Sequence, residues 1–331
     1  MKQSITIIGG IKMALEISLE LKTRYMFALE SVAREVAGKV SSYKGPIHDI
    51  GHIRGHEESN IDRLAYEWML GALEEHLGRF PEDQRFKGKY LFELHELQDV
   101  ESGVPHEETK RRVLRIDEID GTTNIKRAKS STFDYCPSAT ISIALCEDET
   151  MGSTIIGTVY DMLHDDVFSG MRVDGGYVAF HNRRLLDRGD FEEKRGDTST
   201  RIMVVGYSNR ERIRKGELEQ AILDADSTKK DFRVYDGSRS TTIDIINILR
   251  NQFDAYIDPR AHWPESGAML YPYDIAGVIP IAYGCGLEIS DIYGNPIEKY
   301  SGSQPLTIIV ARKGLKDRFV NILRPLVGST G

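Results

Sequence analysis

Apolar residues recur at three- and four-residue intervals across 13–37, with Leu15, Leu19, Met26, Leu29, Ala33 and Val36 on one stripe and Gly38 at its end. That spacing predicts an amphipathic helix whose stripe faces a core. Residues 41–59 break the period; they are polar, rich in Gly and His, and read as a loop. The helical period returns over 61–77 with Leu64, Trp68, Met69, Leu73 and Leu77, and a charged stretch over 79–89 closes it.

From about Lys89 the pattern changes to strands. Segments 90–100, 112–117, 138–145, 154–163, 166–173 and 176–180 read as strands, and Asp174-Gly175-Gly176 supplies a tight turn. Long helices followed by an antiparallel run predict an α+β first half. Residues 187–200 are charged and aperiodic and read as a linker, so the chain divides into 1–190 and 191–331. Beyond it, strands over 201–206, 231–235, 254–257, 287–291 and 306–311 are interspersed with helices over 209–224, 241–249, from Asp274 and over 314–325. That order predicts an α/β second half.

Hydrophobic residues make up 40% of the 331 and charged residues 28%, which fits a folded chain and excludes disorder. A net charge of −8 argues against a nucleic-acid partner, whose footprint is basic. It leaves room for a small phosphorylated substrate, because metal ions bring positive charge of their own. Cys136, Cys146 and Cys285 are too few and too scattered for a disulfide framework or a structural zinc site, and read as thiols of a reducing cytoplasm. No apolar run approaches the ~18 residues that span a bilayer. Lys12 interrupts the apolar start and no small-residue cleavage site follows, so the reading is a soluble cytoplasmic protein without a membrane partner.

The most informative string is Arg115-Ile116-Asp117-Glu118-Ile119-Asp120-Gly121-Thr122-Thr123-Asn124. Two carboxylates three residues apart at a strand end can aim at one point, and hard divalent cations take such oxygens. Gly121 lets backbone amides approach a phosphate, and the Thr hydroxyls can orient a water. His48, His52 and His56 are four apart, but Gly51 and Gly55 oppose a helix there; with His106 they read as surface or loop residues. Trp263-Pro264-Glu265-Ser266-Gly267 reads as a loop.

This string resembles the Asp-Pro-(Ile/Leu)-Asp-Gly-Thr motif of the inositol monophosphatase family, within the lithium-sensitive, metal-dependent sugar phosphatases. Tyr273-Asp274-Ile275-Ala276-Gly277 resembles the family's second signature, Trp-Asp-x-Ala-Ala/Gly-Gly. Ser59-Asn60-Ile61-Asp62 opens the second helix as a Thr-x-x-Asp does in the family. Asp254-Ala255-Tyr256-Ile257-Asp258-Pro259-Arg260 is similar to archaeal members acting on inositol phosphates and fructose bisphosphate. Three departures stand out. The family's Pro is Glu118 here, its aromatic after the Asn is Ile125, and its upstream Glu-Glu pair is absent, leaving Glu96 and Glu101 as alternatives for the first metal ligand.

The resemblance implies a layered α-β-α-β-α fold and a Mg²⁺-dependent phosphomonoesterase with two or three Mg²⁺ per site and Mn²⁺ as a substitute. Asp117 would bridge two metals. The upstream Glu and the Ile119 carbonyl would complete the first, and Asp120 and Asp274 the second. Thr122 and Asp62 would orient the attacking water, while Gly121 and Thr122 amides hold the phosphate. Asp258 would meet a sugar hydroxyl and Arg260 a second phosphate or hydroxyl. The implied substrates are inositol 1-phosphate and fructose 1,6-bisphosphate, a phosphorylated polyol or sugar, and the implied assembly is a homodimer. Two alternatives remain: a phosphatase for 3′-phosphoadenosine or the NADP 2′-phosphate, and a catalytically silent sugar-phosphate-binding regulator.

Overall fold

The computed structural model describes residues 17–53, 56–86, 88–92, 96–97, 112–130, 138–186, 199–206, 209–226, 231–263, 269–301 and 304–327. Helix α1 (Leu19–Ser42) starts where Ser18 caps it, its hydroxyl accepting the Leu21 amide at 3.2 Å. The expected start near residue 13 lies outside the described residues. Helix α2 (Asn60–Gly78) packs beside it. The 41–59 stretch, read as a loop, holds a hairpin of β1 (Asp49–Ile53) and β2 (His56–Ser59). Polar composition hid it, because a hairpin without an apolar face shows no two-residue period.

The large sheet has eight strands in the order β10-β9-β8-β7-β6-β5-β3-β4. Its members are β3 (Gly88–Phe92), β4 (Glu96–Leu97), β5 (Arg112–Asp120), β6 (Thr140–Cys146), β7 (Thr154–Asp161), β8 (Asp166–Val173), β9 (Gly176–His181) and β10 (Arg184–Leu185). All neighbours are antiparallel except β3 and β5, which run parallel, so the first half is not a pure antiparallel run. A short helix α3 (Thr122–Ser130) follows β5.

The small sheet orders β12 (Phe232–Asp236), β11 (Thr200–Val204), β13 (Ala255–Asp258), β15 (Ile308–Ala311) and β14 (Glu288–Ser290). Its helices are α4 (Asn209–Asp224), α5 (Thr241–Leu249), α6 (Pro272–Ala276), α7 (Ile279–Gly284) and α8 (Lys316–Val327).

Strand alternation assigns each layer. In β15, Ile308 and Val310 share a core with α5, α6 and α7, whereas Ile309 and Ala311 pack with Phe319 and Leu323 of α8 and Leu218 of α4. In β6, Ile141, Ile143 and Leu145 face α1 and α2, and Ala144 faces the middle helices. The layers therefore run α1/α2, large sheet, α5–α7, small sheet, α4/α8, the α-β-α-β-α arrangement expected.

Close approach of the middle layer depends on a row of small residues. Ala144, Gly157, Gly170 and Ala179 pair in register across β6 to β9. A Cβ on Gly170 would lie 2.5 Å from the Ile281 amide of α7, and one on Gly157 would collide with the Gly277 carbonyl. At its far end α5 is tied to the same sheet: Arg250 pairs with Asp161 at 2.6 Å and Asp166 at 2.9 Å. His164 reaches Asp161 at 2.7 Å and His181 reaches Asp166 at 3.0 Å.

Gly157→Val should therefore destabilise the protein by about 2 kcal/mol or more in chemical denaturation. Gly71→Ala, exposed in α2 with nothing near its Cβ position, should instead stabilise it by roughly 0.5–1 kcal/mol. Equal effects from the two would refute the close-approach account.

Candidate active site

Strand β5 delivers two carboxylates to one face by means of a bulge. Alternation sends Leu114 and Ile116 toward α1 and α2, and Val113, Arg115 and Asp117 toward the middle helices. A regular strand would put Asp120, three residues on, on the opposite face. Instead Asp117 pairs with Ser142 and Asp120 with Thr140, so three steps on β5 match two on β6. The extra residue restores parity, and Asp117 and Asp120 share a face. Asp117 is buried at 2% exposure, while Asp120 and Thr122 keep part of their surface open. Glu118, also buried, lies close enough to Tyr66 of α2 for its charge to help raise that phenol.

Gly121 turns the chain out of β5 with φ at 103°, a conformation that disfavours side chains, and a Cβ would sit 2.8 Å from the Ser138 carbonyl. Helix α3 starts at Thr122, and its first amides form the kind of N-terminus that receives an anion. The Thr122 hydroxyl donates to Asp62 Oδ1 at 2.6 Å and lies 3.1 Å from the Ile119 carbonyl. Asp62 is the third residue of α2; its Oδ2 accepts the Ser59 amide at 2.9 Å and hydroxyl at 2.7 Å. Burial raises the Asp62 carboxyl above its ordinary range against the pull of these donors.

Asp120 is gripped from the second half of the chain. Its Oδ2 accepts Ser240 Oγ at 3.0 Å, the Thr242 amide at 2.7 Å and Thr242 Oγ1 at 2.6 Å, all at the N-terminus of α5. Asp274 opens α6 and accepts the Tyr271 amide at 2.6 Å. Burial pushes its carboxyl up to about 8, and the charges of Asp120 and Asp258 add to the push. Asp274 and Asp120, 154 positions apart in the chain, therefore lie within electrostatic reach of each other.

Asp258 is fully buried and held by Arg260, whose Nη2 reaches it at 2.6 Å and Nε at 2.9 Å, and by the Tyr256 hydroxyl at 3.1 Å. The Arg260 charge also lowers Asp274.

One acid escaped the sequence reading. Asp244, in the first turn of α5, accepts the Ser238 amide on both oxygens at 3.0 and 2.9 Å. Burial pushes it up to about 8, with Asp120 and Asp258 contributing. Its signal was present in Ser240-Thr241-Thr242-Ile243-Asp244, a helix start with an acid in the first turn.

Of the remaining expectations, Glu101, His106 and residues 264–268 lie outside the described residues, and Trp263 is buried at 4% exposure. Glu96 is in β4, opposite Leu91, with its side chain likewise outside. Backbones of His52 and His56 belong to the β1–β2 hairpin, and the His48 amide donates to Asn60 Oδ1 at 3.0 Å.

Among the described residues, no three His, Cys, Asp or Glu side chains gather into a ready metal cluster. The donor chemistry nevertheless fits a hard divalent cation: Asp117, Asp120, Asp274 and the Ile119 carbonyl offer oxygen alone. Enclosed carboxylates in mutual repulsion favour either a proton or a counter-ion. Asp244 and Asp274 hold protons in the folded chain that they release in the unfolded chain between about pH 4 and 8, so folded stability falls as pH rises through that window. In EDTA, denaturation at pH 5 and pH 8 should show the lower stability at pH 8. A rise would contradict the enclosed-acid geometry.

With this geometry in place, comparison with known proteins identifies the scaffold. The Thermotoga maritima IMPase superposes with a TM-score of 0.63 at 15% identity, covering 92% of this chain and 100% of that one. The extragenic suppressor protein suhB from Bartonella henselae gives 0.60 at 15% identity over 91% and 98%. Inositol monophosphatase-II from Staphylococcus aureus gives 0.60 at 18% identity over 94% and 98%. At these identities the likeness establishes the fold alone. A search of curated protein sequences gives no match. Among described helices none is long and apolar enough to cross a membrane. A model of the inositol monophosphatase family matches residues 84–326, spanning both sheets and every acid described above except Asp62, and the chain belongs to that family.

Proposed function

We propose that the protein is a Mg²⁺-dependent phosphomonoesterase acting on a phosphorylated polyol or sugar, with inositol 1-phosphate and fructose 1,6-bisphosphate as the substrates of choice. Family membership supports a phosphatase. The observation that carries the rest is that Asp120 and Asp274, from opposite halves of the chain, lie within electrostatic reach of each other beside a strand end followed by a glycine turn and a helix N-terminus.

Asp117, Asp120, Asp274 and the Ile119 carbonyl would hold the metal, with Glu96 or Glu101 joining them. A bound divalent cation supplies charge neutralisation of the phosphate and acidifies a water. The chain's own groups do the positioning. Amides of Gly121 and Thr122 receive phosphate oxygens. Thr122 donates its hydroxyl proton to Asp62, which turns the lone pairs of its oxygen outward as an acceptor for the attacking water. That water aligns through its proton on Thr122 Oγ1. As the water oxygen bonds to phosphorus and the ester P–O bond breaks, the departing alkoxide takes its proton from solvent water, one proton of the attacking water passes to Thr122, and the Thr122 proton moves to Asp62. The raised Asp62 carboxyl is suited to take it. Asp258 and Arg260, expected from the sequence to meet the substrate, are instead buried against each other and would back the sugar side rather than line it. A related structure, that of S. aureus IMPase-II, is described with 2′AMP as well as with inositol monophosphate bound. That supports testing nucleotide phosphates alongside the sugar phosphates.

Asp117→Asn should lower Mg²⁺-dependent phosphate release by roughly three orders of magnitude or more with the melting temperature little changed. Thr122→Val should lower kcat with a smaller effect on KM and flatten the acid limb of the pH–rate profile. Full activity in Asp117→Asn would end the metal assignment. Wild-type protein that releases no phosphate from any monoester would favour the silent regulator.

A further inference from the structure

Away from the acids at the end of β5, the described residues enclose a half-open cleft of about 640 Å³ between α1 and the turns of two hairpins. Glu30, Arg34 and Glu35 of α1 line one side, and Asp165 of the β7–β8 turn with Asn182 and Arg183 of the β9–β10 turn line the other. Its volume is in the range that receives small ligands. None of the acids assigned to the phosphatase site belongs to it. Asn182 and Arg183 form the whole loop of a two-residue hairpin, since His181 pairs with Arg184. Both hold a left-handed backbone, with φ at 48° and 67°. Glycine is the favoured residue at the second place of such a turn. Arginine there is uncommon, and it brings a guanidinium to the cleft.

Both arginines of the cleft are held in place with only part of their donor capacity. Arg34 Nη1 donates to Asp165 Oδ1 at 2.9 Å, and the guanidinium lies 5.4 Å from the centre of the Tyr160 ring. Arg183 Nε donates to Glu30 Oε2 at 3.0 Å, and the guanidinium lies over Phe27 at 4.7 Å. A guanidinium carries five N–H donors. Arg34 therefore keeps Nε and Nη2, and Arg183 keeps both Nη nitrogens, on side chains that are 52% and 60% exposed. Glu30 is buried and fully engaged, its other oxygen accepting the Ser169 hydroxyl at 2.8 Å. Glu35 is engaged by Lys39 at 2.7 Å and His76 at 3.1 Å. Asp165 differs: its bonds from Arg34 and from the Tyr160 hydroxyl both fall on Oδ1, which leaves Oδ2 as an acceptor. Arg34, Arg183 and Lys39 balance Glu30, Glu35 and Asp165 in charge. The cleft thus offers unused donors on two elements and an unused acceptor beside one of them.

We infer that this cleft binds a small hydroxylated oxyanion, a carboxylate or phosphomonoester that carries hydroxyl groups, at a site separate from the proposed catalytic one. The free edges of the two guanidinium groups receive the oxyanion, since a planar fork matches carboxylate and phosphate oxygens alike. Asp165 Oδ2 accepts a hydroxyl proton of the same ligand. A single oxyanion suits a cleft of balanced charge, whereas a polyanion would meet its three carboxylates without enough cations to offset them. The inference stands apart from the phosphatase reading, because none of these groups takes part in that chemistry.

Calorimetric titration of the full chain in EDTA tests it, with gluconate and glycerol 1-phosphate as hydroxylated probes and acetate and methyl phosphate as their hydroxyl-free counterparts. Wild type should bind at least one hydroxylated probe, roughly threefold or more tighter than its counterpart. The tighter of the two hydroxylated probes identifies the headgroup as carboxylate or phosphate. Arg34→Gln and Arg183→Gln should each weaken that probe roughly fivefold or more. Asp165→Ala should abolish the preference for the hydroxylated probe over its counterpart. Asp117→Asn, in the proposed catalytic site, should change the affinity by less than about twofold. Melting temperatures verify that each variant is folded; Arg34→Lys and Arg183→Lys, which keep the charge but lose the fork, carry the same comparison where a Gln variant does not fold. No binding of either hydroxylated probe by wild type would overturn the inference and leave the two arginines as staples of the hairpin turns on α1. Binding that the arginine substitutions leave unchanged, or that Asp117→Asn alters as much as they do, would overturn it too. Phosphate release plays no part in the readout, so failure of the phosphatase reading would leave this result standing.

Discussion

The site depends on the three hydrogen bonds that Asp120 Oδ2 receives from Ser240 and Thr242. They join a residue at the end of the large sheet to the first turn of a helix packed on the small one. A carboxylate at a helix N-terminus is electrostatically favoured. Here the carboxylate and the helix come from different halves of the chain. The contact therefore sets the register of one layer against the other at the point where the acids converge. The row from Ala144 to Ala179 serves the same end: without side-chain bulk there, α7 can lie close on the sheet, and α6 with Asp274 follows it.

Electrostatics explains why so much hydrogen bonding surrounds these acids. Asp62, Asp120, Asp244 and Asp274 are all raised by enclosure, and each has backbone or hydroxyl donors that partly offset it. A buried charge without donors would simply take up a proton. The donors keep ionisation within reach while leaving the group avid for a cation. Asp258 follows another route and shares its burial with a forked arginine.

Much of the scaffold was legible in the chain. Predicted ranges 209–224 and 241–249 coincide with α4 and α5, and 166–173 with β8. Those segments carry strong periods or clear caps. The β1–β2 hairpin was not legible, because its residues show no apolar alternation. The parallel pairing of β3 with β5 was not either, since strand direction leaves no mark on composition. Asp117 and Asp120 stood out through the company of Gly121 and two threonines, but the bulge that puts them on one face is a property of the pairing with β6. Asp244 showed only as an acid in the first turn of a helix; its tie to Ser238 and its closeness to Asp120 and Asp258 arise from the fold and leave no mark on spacing. Thr122 and Asp62 were joined only through the resemblance, and the hydrogen bond between them is a tertiary contact no spacing encodes.

Helix α5 spans about 13 Å at 1.5 Å per residue, with fixed ends. Its first turn grips Asp120; just beyond its last turn, Arg250 clasps Asp161 and Asp166 beside two histidines. The helix thus acts as a tie-rod between the acids at the end of β5 and the far hairpin of β7 and β8. Strain applied at the loop joining β7 to β8 has a direct mechanical route to the carboxylate at the other end.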